Sequence, residues 1–203
     1  MLVQPASAVT ATCGLPGFVE AVPATIVGAG TIMGTDGDDV IVGSAGADEI
    51  WALDGNDLIC GLDGNDTIHA GAGDDTVLAG LGDDTVTGDQ GNDAIAGDNG
   101  GFEQGGNDVL SGGSGDDFAT GMAGNDTITG GNGGDELFGG PGNDAVSGEN
   151  GDDTVFGNFG SDVLSGGNGD DVVIGGNPNP APDPDPDTCD GGRGDDVIDL
   201  CEG

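Results

Sequence analysis

The sequence predicts an all-β fold, a parallel β-solenoid in which turns rich in glycine and aspartate join two parallel sheets. Three observations predict it: a nine-residue period, glycine at fixed positions in each period, and one aliphatic residue at another fixed position. Without a period, the 47 Gly and 9 Pro of this 203-residue chain would indicate disorder. The period therefore decides the fold class.

The nine-residue units follow the pattern G-G-x-G-x-D-x-U-x, in which U is an apolar residue. Fifteen units run from residue 34 to residue 174, and the eighth of them, 97–111, carries six extra residues. A sixteenth unit, 191–199, stands apart behind a proline-rich stretch. Every unit has Gly at its fourth position and Asp at its sixth, and U is Ile, Val or Leu except at Ala119.

Each unit has the composition of a turn followed by a short strand. Glycine adopts positive φ and permits close backbone approach, as a tight turn requires. The x-U-x segment, such as Val40-Ile41-Val42, is β-branched and predicts a three-residue strand. Two units complete one coil, so the U side chains point between two parallel sheets. Burying one aliphatic side chain contributes about 1.5–3 kcal/mol, which cannot offset about 1 kcal/mol of backbone entropy for each of nine residues.

The sixth-position aspartates offer the missing stabilisation as metal ligands. Units two apart share an edge, so Asp39, Asp57 and Asp75 should line one edge and the intervening aspartates the other. Carboxylates about 5 Å apart repel unless a cation lies between them. Ca²⁺ accepts irregular cages of carboxylate and carbonyl oxygens, whereas Zn²⁺ favours His or Cys and Mg²⁺ a stricter octahedron. The predicted ligands of multiple Ca²⁺ ions are Asp39, Asp48, Asp57, Asp66, Asp75, Asp84, Asp93, Asp108, Asp117, Asp126, Asp135, Asp144, Asp153, Asp162, Asp171 and Asp196.

Residues 34–174 and 191–199 closely resemble the RTX (hemolysin-type) calcium-binding repeat family. The resemblance implies a right-handed parallel β-roll, Ca²⁺ held in the turns by the sixth-position Asp and turn carbonyls, an extracellular location, and folding triggered by external Ca²⁺. The chain departs from the family pattern where Ala52, Ala70 and Ala79 replace the first glycine of a unit. The loop 98–105 interrupts a turn, and we expect it to remove one site.

The charge balance excludes several classes of function. The chain has 39 acidic residues against one basic residue, for a formal net charge of −38. Phosphate contacts need Lys and Arg, so nucleic acid and anionic membrane surfaces are poor partners, whereas calcium ions are natural ones. No apolar stretch approaches the ~18 residues of a membrane span. His69 is the single histidine and falls on an outer strand face, so we predict that the chain is not an enzyme.

The repeats divide the chain into four predicted parts. Residues 1–33 are a signal-peptide remnant and N-terminal cap, 34–174 the β-roll, 175–188 a proline-rich linker, and 189–203 a disulfide-stapled C-terminal repeat. Ala6-Ser7-Ala8 fits the small-residue rule for signal cleavage, but no charged segment precedes it, so we place the true start upstream of Met1. The alternative is an ordinary disordered N-terminus.

Four cysteines allow three pairings, of which we favour Cys13–Cys60 and Cys189–Cys201. The alternative for the first pair is two free thiols. Cys60 lies on the outer face of the odd-numbered units, which is largely apolar. We expect residues 10–27 to fold back over this face, with Val19, Val22 and Ile26 as cover.

Farther along the same face, a second set of apolar residues lies beyond the reach of the N-terminal segment. It comprises Phe118, Phe138, Phe156 and Ile174. A contiguous apolar surface on a soluble protein is usually covered or used for binding. These residues predict self-association through the odd-repeat face.

The sequence predicts a secreted calcium-binding repeat protein that serves as a structural or surface module. One alternative is a surface-recognition protein that binds ice or glycans through the Thr/Ser face of the even units, although Val109, Ala145 and Val163 interrupt that face. Another is the detached repeat region of a toxin or hydrolase.

Overall fold

The computed structural model describes residues 12–13, 22–99, 105–176 and 186–201, and within these ranges the chain forms β-strands joined by short turns. No helix in the described ranges has the length and apolarity needed to cross a membrane. The strands are β1 (Thr12–Cys13), β2 (Val22–Pro23), β3 (Ile26–Val27), β4 (Thr31–Met33), β5 (Val40–Val42), β6 (Glu49–Asp54), β7 (Leu58–Asp63), β8 (Thr67–Ala72), β9 (Thr76–Leu81), β10 (Thr85–Gln90), β11 (Ala94–Ala96), β12 (Val109–Ser114), β13 (Phe118–Thr120), β14 (Thr127–Asn132), β15 (Glu136–Pro141), β16 (Ala145–Asn150), β17 (Thr154–Phe159), β18 (Val163–Asn168), β19 (Val172–Gly176), β20 (Thr188–Arg193) and β21 (Val197–Asp199).

Alternate strands belong to alternate sheets, as a solenoid with two units per coil requires. The even sheet contains the even-numbered strands from β4 to β20, and the odd sheet the odd-numbered strands from β3 to β21. Each strand pairs in parallel with the strand two places along the chain, whereas β1 and β2 form a separate antiparallel pair. The predicted all-β solenoid of two parallel sheets is confirmed.

The core is a double row of the eighth-position side chains between the sheets. Ile41, Ile59 and Val77 from the odd sheet and Ile50 and Ile68 from the even sheet are completely buried. The alanines that replace first-position glycines also point inward, and each of Ala52, Ala70 and Ala79 is fully buried in the same cluster. These departures from the repeat pattern therefore add methyl groups to a thin core.

Most strands are longer than the three residues that the repeat predicts. In β8, Thr67, Ile68 and His69 pair with neighbouring strands as expected, and Gly71 and Ala72 pair again after a break at Ala70. The chain bends at the second position of the next unit, where φ is positive even for non-glycine residues such as Leu53 and Leu62. The hydrogen-bonded ladder continues past this bend to the third position of that unit. The predicted strand was too short because the bend does not end the hydrogen bonding.

Both sheets begin before the predicted first unit at residue 34. Ile26 in β3 pairs with Ile41, and Ile32 in β4 pairs with Ile50. Ile26 packs against the inner core, so its predicted role in covering the outer face is wrong. Of the other predicted cover residues, Val19 lies outside the described residues, as does the side chain of Val22.

The N-terminal part of the odd outer face is nevertheless covered. Val42, Cys60, Leu78 and Ala96 form a buried cluster there, each less than 8 % exposed. Strand β1 lies against β5 and β7, which confirms the fold-back of the N-terminal segment at this point. Cys60 is disulfide-bonded. The predicted pairing with Cys13 falls on a side chain outside the described part of the structure.

The C-terminal unit continues both sheets instead of standing apart from them. Strand β20 pairs with β18, so that Cys189 lies opposite Leu164, and β21 pairs with β19. Cys189 occupies an eighth position and packs against the end of the core. The predicted Cys189–Cys201 disulfide is present and spans 6.0 Å between Cα atoms. This bond links β20 to the residues that follow β21.

Candidate metal centre

Each sixth-position aspartate ends a glycine-rich turn immediately before a strand. Its backbone N–H donates to the Oδ1 atom of the equivalent aspartate one coil farther along the chain. Asp39 donates to Asp57 at 2.7 Å, and Asp57 donates to Asp75 at 2.8 Å. The coils are therefore joined by aspartate side chains as well as by the strand ladders.

These bonds sort the aspartates into two columns, as the period of two units predicted. Nearly all members are buried, and Asp196, in the last turn, is only half-buried. The odd column contains Asp39, Asp57, Asp75, Asp93, Asp117, Asp135, Asp153, Asp171 and Asp196. The even column contains Asp48, Asp66, Asp84, Asp108, Asp126, Asp144, Asp162 and Asp187.

The second carboxylate oxygen has different surroundings. In most column members Oδ2 is buried without any hydrogen-bond partner, and this set includes Asp57, Asp66, Asp75, Asp84, Asp93, Asp108, Asp117, Asp126, Asp135, Asp144, Asp153 and Asp171. An unsatisfied buried polar atom costs about 1–3 kcal/mol, and more when it is charged. A regular row of them indicates a shared missing partner of positive charge.

The first-position glycine shows where that partner fits. A Cβ atom at Gly112 would meet Asp117 Oδ2 and would lie 2.7 Å from the carbonyl oxygen of Gly130 in the next coil. Two electron-rich oxygens thus flank one small space, and Asp117 Oδ2 has no hydrogen-bond partner. Within the described residues no three acidic, His or Cys side chains converge on a point, so backbone carbonyls would have to complete the coordination. Ca²⁺ accepts such a mixed oxygen set, and the residues present fit it.

The electrostatics of the columns favour a bound cation or a proton. Burial raises the pKa of Asp75, Asp84 and Asp144 to about 7, and that of Asp108 to about 8. In each case a backbone N–H bond opposes the shift, and neighbouring carboxylates add to it. Without a cation, these side chains resist ionisation near neutral pH.

Two buried aspartates were missed by the sequence prediction. Asp187 continues the even column, and the N–H of Asp162 donates to its Oδ1 at 3.0 Å. The spacing from Asp187 to Gly191-Gly192 equals that from Asp171 to Gly175-Gly176. Residues 182–190 nevertheless lack the repeat glycines and have Cys189 in the eighth position, which hid this unit.

The second missed residue, Asp98, opens the insertion of the eighth unit and is completely buried. The insertion does not interrupt the even column, because Asp84 donates to Asp108 at 2.8 Å across it. The turn that we expected to lose its site therefore keeps its aspartate in place. No repeat position specifies an acidic residue at Asp98, so the pattern gave no signal for it.

The outer faces carry features of their own. Trp51 and His69 stack on the even sheet with ring centroids 3.8 Å apart, and His69 Nδ1 lies 3.0 Å from Thr87 Oγ1. His69 is thus a surface residue held by its neighbours. Ser111 pairs with Thr87, and Thr129 pairs with Ser111, so their hydroxyls extend the row of outer side chains along the even sheet.

Comparison with protein-family models matches the RTX calcium-binding nonapeptide repeat. The matched segments are residues 33–68, 69–101, 104–137, 111–146, 129–164, 147–177 and 185–199. The last segment includes Asp187, the column member that the eighth-position pattern missed. No curated protein matches the chain.

Proposed function

Because the chain belongs to the RTX calcium-binding nonapeptide repeat family, we propose that it is a secreted, non-catalytic calcium-binding module whose folding is coupled to Ca²⁺ binding. The observation that carries this proposal is the row of buried, unpartnered Oδ2 atoms along both edges. The chain has a single Lys or Arg residue, Arg193, so its own side chains cannot supply the positive charge that two columns of carboxylates need.

The two carboxylate oxygens of a column aspartate have different roles in the turn. Oδ1 accepts the backbone N–H of the preceding coil and fixes the register between coils, as in the bond from Asp75 to Asp93 at 2.9 Å. Oδ2 faces the first-position carbonyl and would serve as the metal ligand. A bound Ca²⁺ supplies the positive charge that lets the stacked carboxylates ionise together. Metal binding and folding then share one free energy.

The proposal includes an extracellular location for the protein. Disulfides persist in oxidising compartments and are rare in the cytosol, and the last coil is fastened by Cys189–Cys201. Extracellular Ca²⁺ would then fold the chain after export. The two columns and the thin core support a structural or surface role, because they use the acidic residues as ligands and single out no acid–base pair.

Equilibrium dialysis against buffered free Ca²⁺ tests the calcium-binding function, with Mg²⁺ at equal concentration as the control. We expect many Ca²⁺ ions to bind per chain, with a matching gain of β-structure by circular dichroism. Mg²⁺ should produce neither. Binding of no Ca²⁺ at millimolar concentration would refute the proposal.

We also propose that the uncovered part of the odd outer face joins two copies of the chain. Phe138 stacks on Phe156 with ring centroids 4.7 Å apart and lies 5.5 Å from Phe118, which is 41 % exposed. Beside them Met122 and Phe159 line a cleft. In Ca²⁺, sedimentation should show a dimer that Phe138→Ser dissociates and Thr129→Ala, at the equivalent position of the even sheet, does not. A monomeric wild type would remove this proposal.

A further inference from the structure

The insertion of the eighth unit buries a carboxylate at the second repeat position, where the acidic residues of other units, Asp89 and Glu149, are exposed. Asp98 is 0 % exposed, although it follows Gly97 at a repeat position that is exposed in the preceding unit, at Asp89. The backbone N–H groups of Gly106 and Ala123 donate to its two oxygens, each at 3.4 Å. These distances exceed the usual 2.9–3.0 Å of such bonds, so they compensate the buried charge poorly.

Asp98 immediately follows Gly97, beside which a carboxylate oxygen and a carbonyl oxygen flank one of the small spaces described above. At Gly97 a Cβ atom would meet Asp108 Oδ2 and would lie 2.9 Å from the carbonyl oxygen of Gly121. Asp108 and Asp126 are each 1 % exposed, and the Oδ2 atom of each has no hydrogen-bond partner. At this point of the even column, the carboxylate of Asp98 is therefore added to the unsatisfied Oδ2 atoms of Asp108 and Asp126.

The four carboxylates of this region act on one another. Burial, and then the charges of Asp98, Asp126 and Asp84, raise the pKa of Asp108 to about 8. The charge of Asp126 in turn contributes to a raised pKa of Asp98, which is about 6 mainly because of burial. No protein cation balances this cluster, because the chain has one basic residue, Arg193, which lies in β20 at the far end.

We propose that Asp98 adds a negative charge to the calcium site next to Asp108 and Asp126, making it the tightest site along the even column. This inference rests on the proposed calcium-binding function. No three carboxylates among the described residues meet at one point, so Asp98 acts through its charge beside the ligands. Calcium affinity rises with the number of negative charges around the ion and with the rigidity of the site. Asp98 supplies the charge, and its burial between Gly106 and Ala123 supplies the rigidity.

Titration calorimetry of the full chain with CaCl₂ in chelator-buffered solution tests the assignment. Asp98→Asn keeps the size of the side chain and removes its charge, so the tightest class of sites should weaken by at least about tenfold. Asp89→Asn is the matched control, because Asp89 has the same repeat position but is exposed on the opposite edge. Asp89→Asn should change the dissociation constant of the tightest class of sites by less than about twofold.

Circular dichroism at saturating Ca²⁺ shows whether the Asp98→Asn chain folds. If it folds and binds its tightest ions as the wild type does, the role of Asp98 is refuted while the calcium-binding function stands. If the wild type binds no Ca²⁺, both fail. A second measurement needs no variant: in crystals of the wild type grown in saturating Ca²⁺ and then exposed to one equivalent of Tb³⁺, the strongest anomalous peak should lie beside Asp98 and Asp108. A strongest peak elsewhere would overturn the assignment even if Asp98→Asn does not fold.

Discussion

At the scale of single residues, the two oxygens of each column aspartate have separate tasks. Oδ1 is a structural acceptor for a backbone N–H, and in most members Oδ2 is buried without a partner. An asparagine in the same place would keep the acceptor and remove the charge. The two tasks can therefore be separated by one substitution.

Asp75→Asn should weaken calcium-induced folding and at the same time stabilise the calcium-free fold. Asp75 is 1 % exposed and burial raises its pKa to about 7, so the neutral amide relieves a buried charge when no ion is present. In Ca²⁺ the loss of one charged ligand should raise the folding midpoint by roughly tenfold, or about 1.4 kcal/mol. Circular dichroism during a calcium titration measures both effects.

Asp74→Asn is the control for this substitution. Asp74 is exposed and accepts the N–H of Asn92 at 2.9 Å, a bond that the amide oxygen can keep. Its midpoint should stay within about twofold of the wild type. Equal midpoints for Asp75→Asn and the wild type would show that Asp75 is not a ligand.

At the scale of one turn and strand, the repeat glycines at the fourth position are not equivalent. Gly73 has φ +136°, and a Cβ atom there would come within 2.6 Å of the carbonyl carbon of Gly55 in the preceding coil. Gly37 holds the same repeat position on the same edge in the first unit, where a Cβ atom would meet nothing within 4 Å. The close stacking of coils, more than the repeat itself, requires glycine.

Gly73→Ala should therefore destabilise the calcium-loaded protein by at least about 2 kcal/mol, since positive φ and a backbone clash both oppose the methyl group. Gly37→Ala should change the stability by less than about 1 kcal/mol. Urea unfolding in saturating Ca²⁺ gives both values. Equal losses for the two variants would contradict the stacking of turns described here.

Most turns and strands were predictable from the sequence, whereas those at the two ends of the solenoid were not. The invariant spacing of Asp and U placed fifteen contiguous units in the correct sheets and columns, because each unit contains its own turn and strand. The strands at Ile26 and Ile32 were missed because no G-x-D turn precedes them, and they are held instead by pairing with Ile41 and Ile50. Asp187 was missed because the residues before it lack the repeat glycines and Cys189 replaces the aliphatic residue.

At the scale of the whole molecule, proton binding and calcium binding compete for the same carboxylates. Burial, the largest cause, raises the pKa of Asp66 and Asp135 to about 6 and that of Asp75 and Asp84 to about 7. A group whose pKa is higher in the folded chain stabilises the fold below its unfolded pKa. That contribution is lost as the pH rises through the folded pKa values, here from about 6 to about 7.

The calcium-free fold should thus gain stability on acidification, so the chain in EDTA should gain β-structure as the pH falls from about 8 to about 6. Ordinary carboxyls do not titrate in this range. Circular dichroism in EDTA at the two pH values measures the effect, and His69→Gln, which removes the single histidine of the chain, is the control. No gain of β-structure on acidification would mean that the column aspartates do not take up protons when the ion-free chain folds.

The central claim is that cations complete a fold that the chain cannot stabilise alone. Its most direct test is small-angle scattering with far-ultraviolet circular dichroism of the purified full chain, in excess EDTA at neutral pH and low ionic strength and again after Ca²⁺ is restored. We expect an expanded chain without β-structure in EDTA and a compact, β-rich particle in Ca²⁺. A compact β-sheet structure that persists in EDTA would contradict the account.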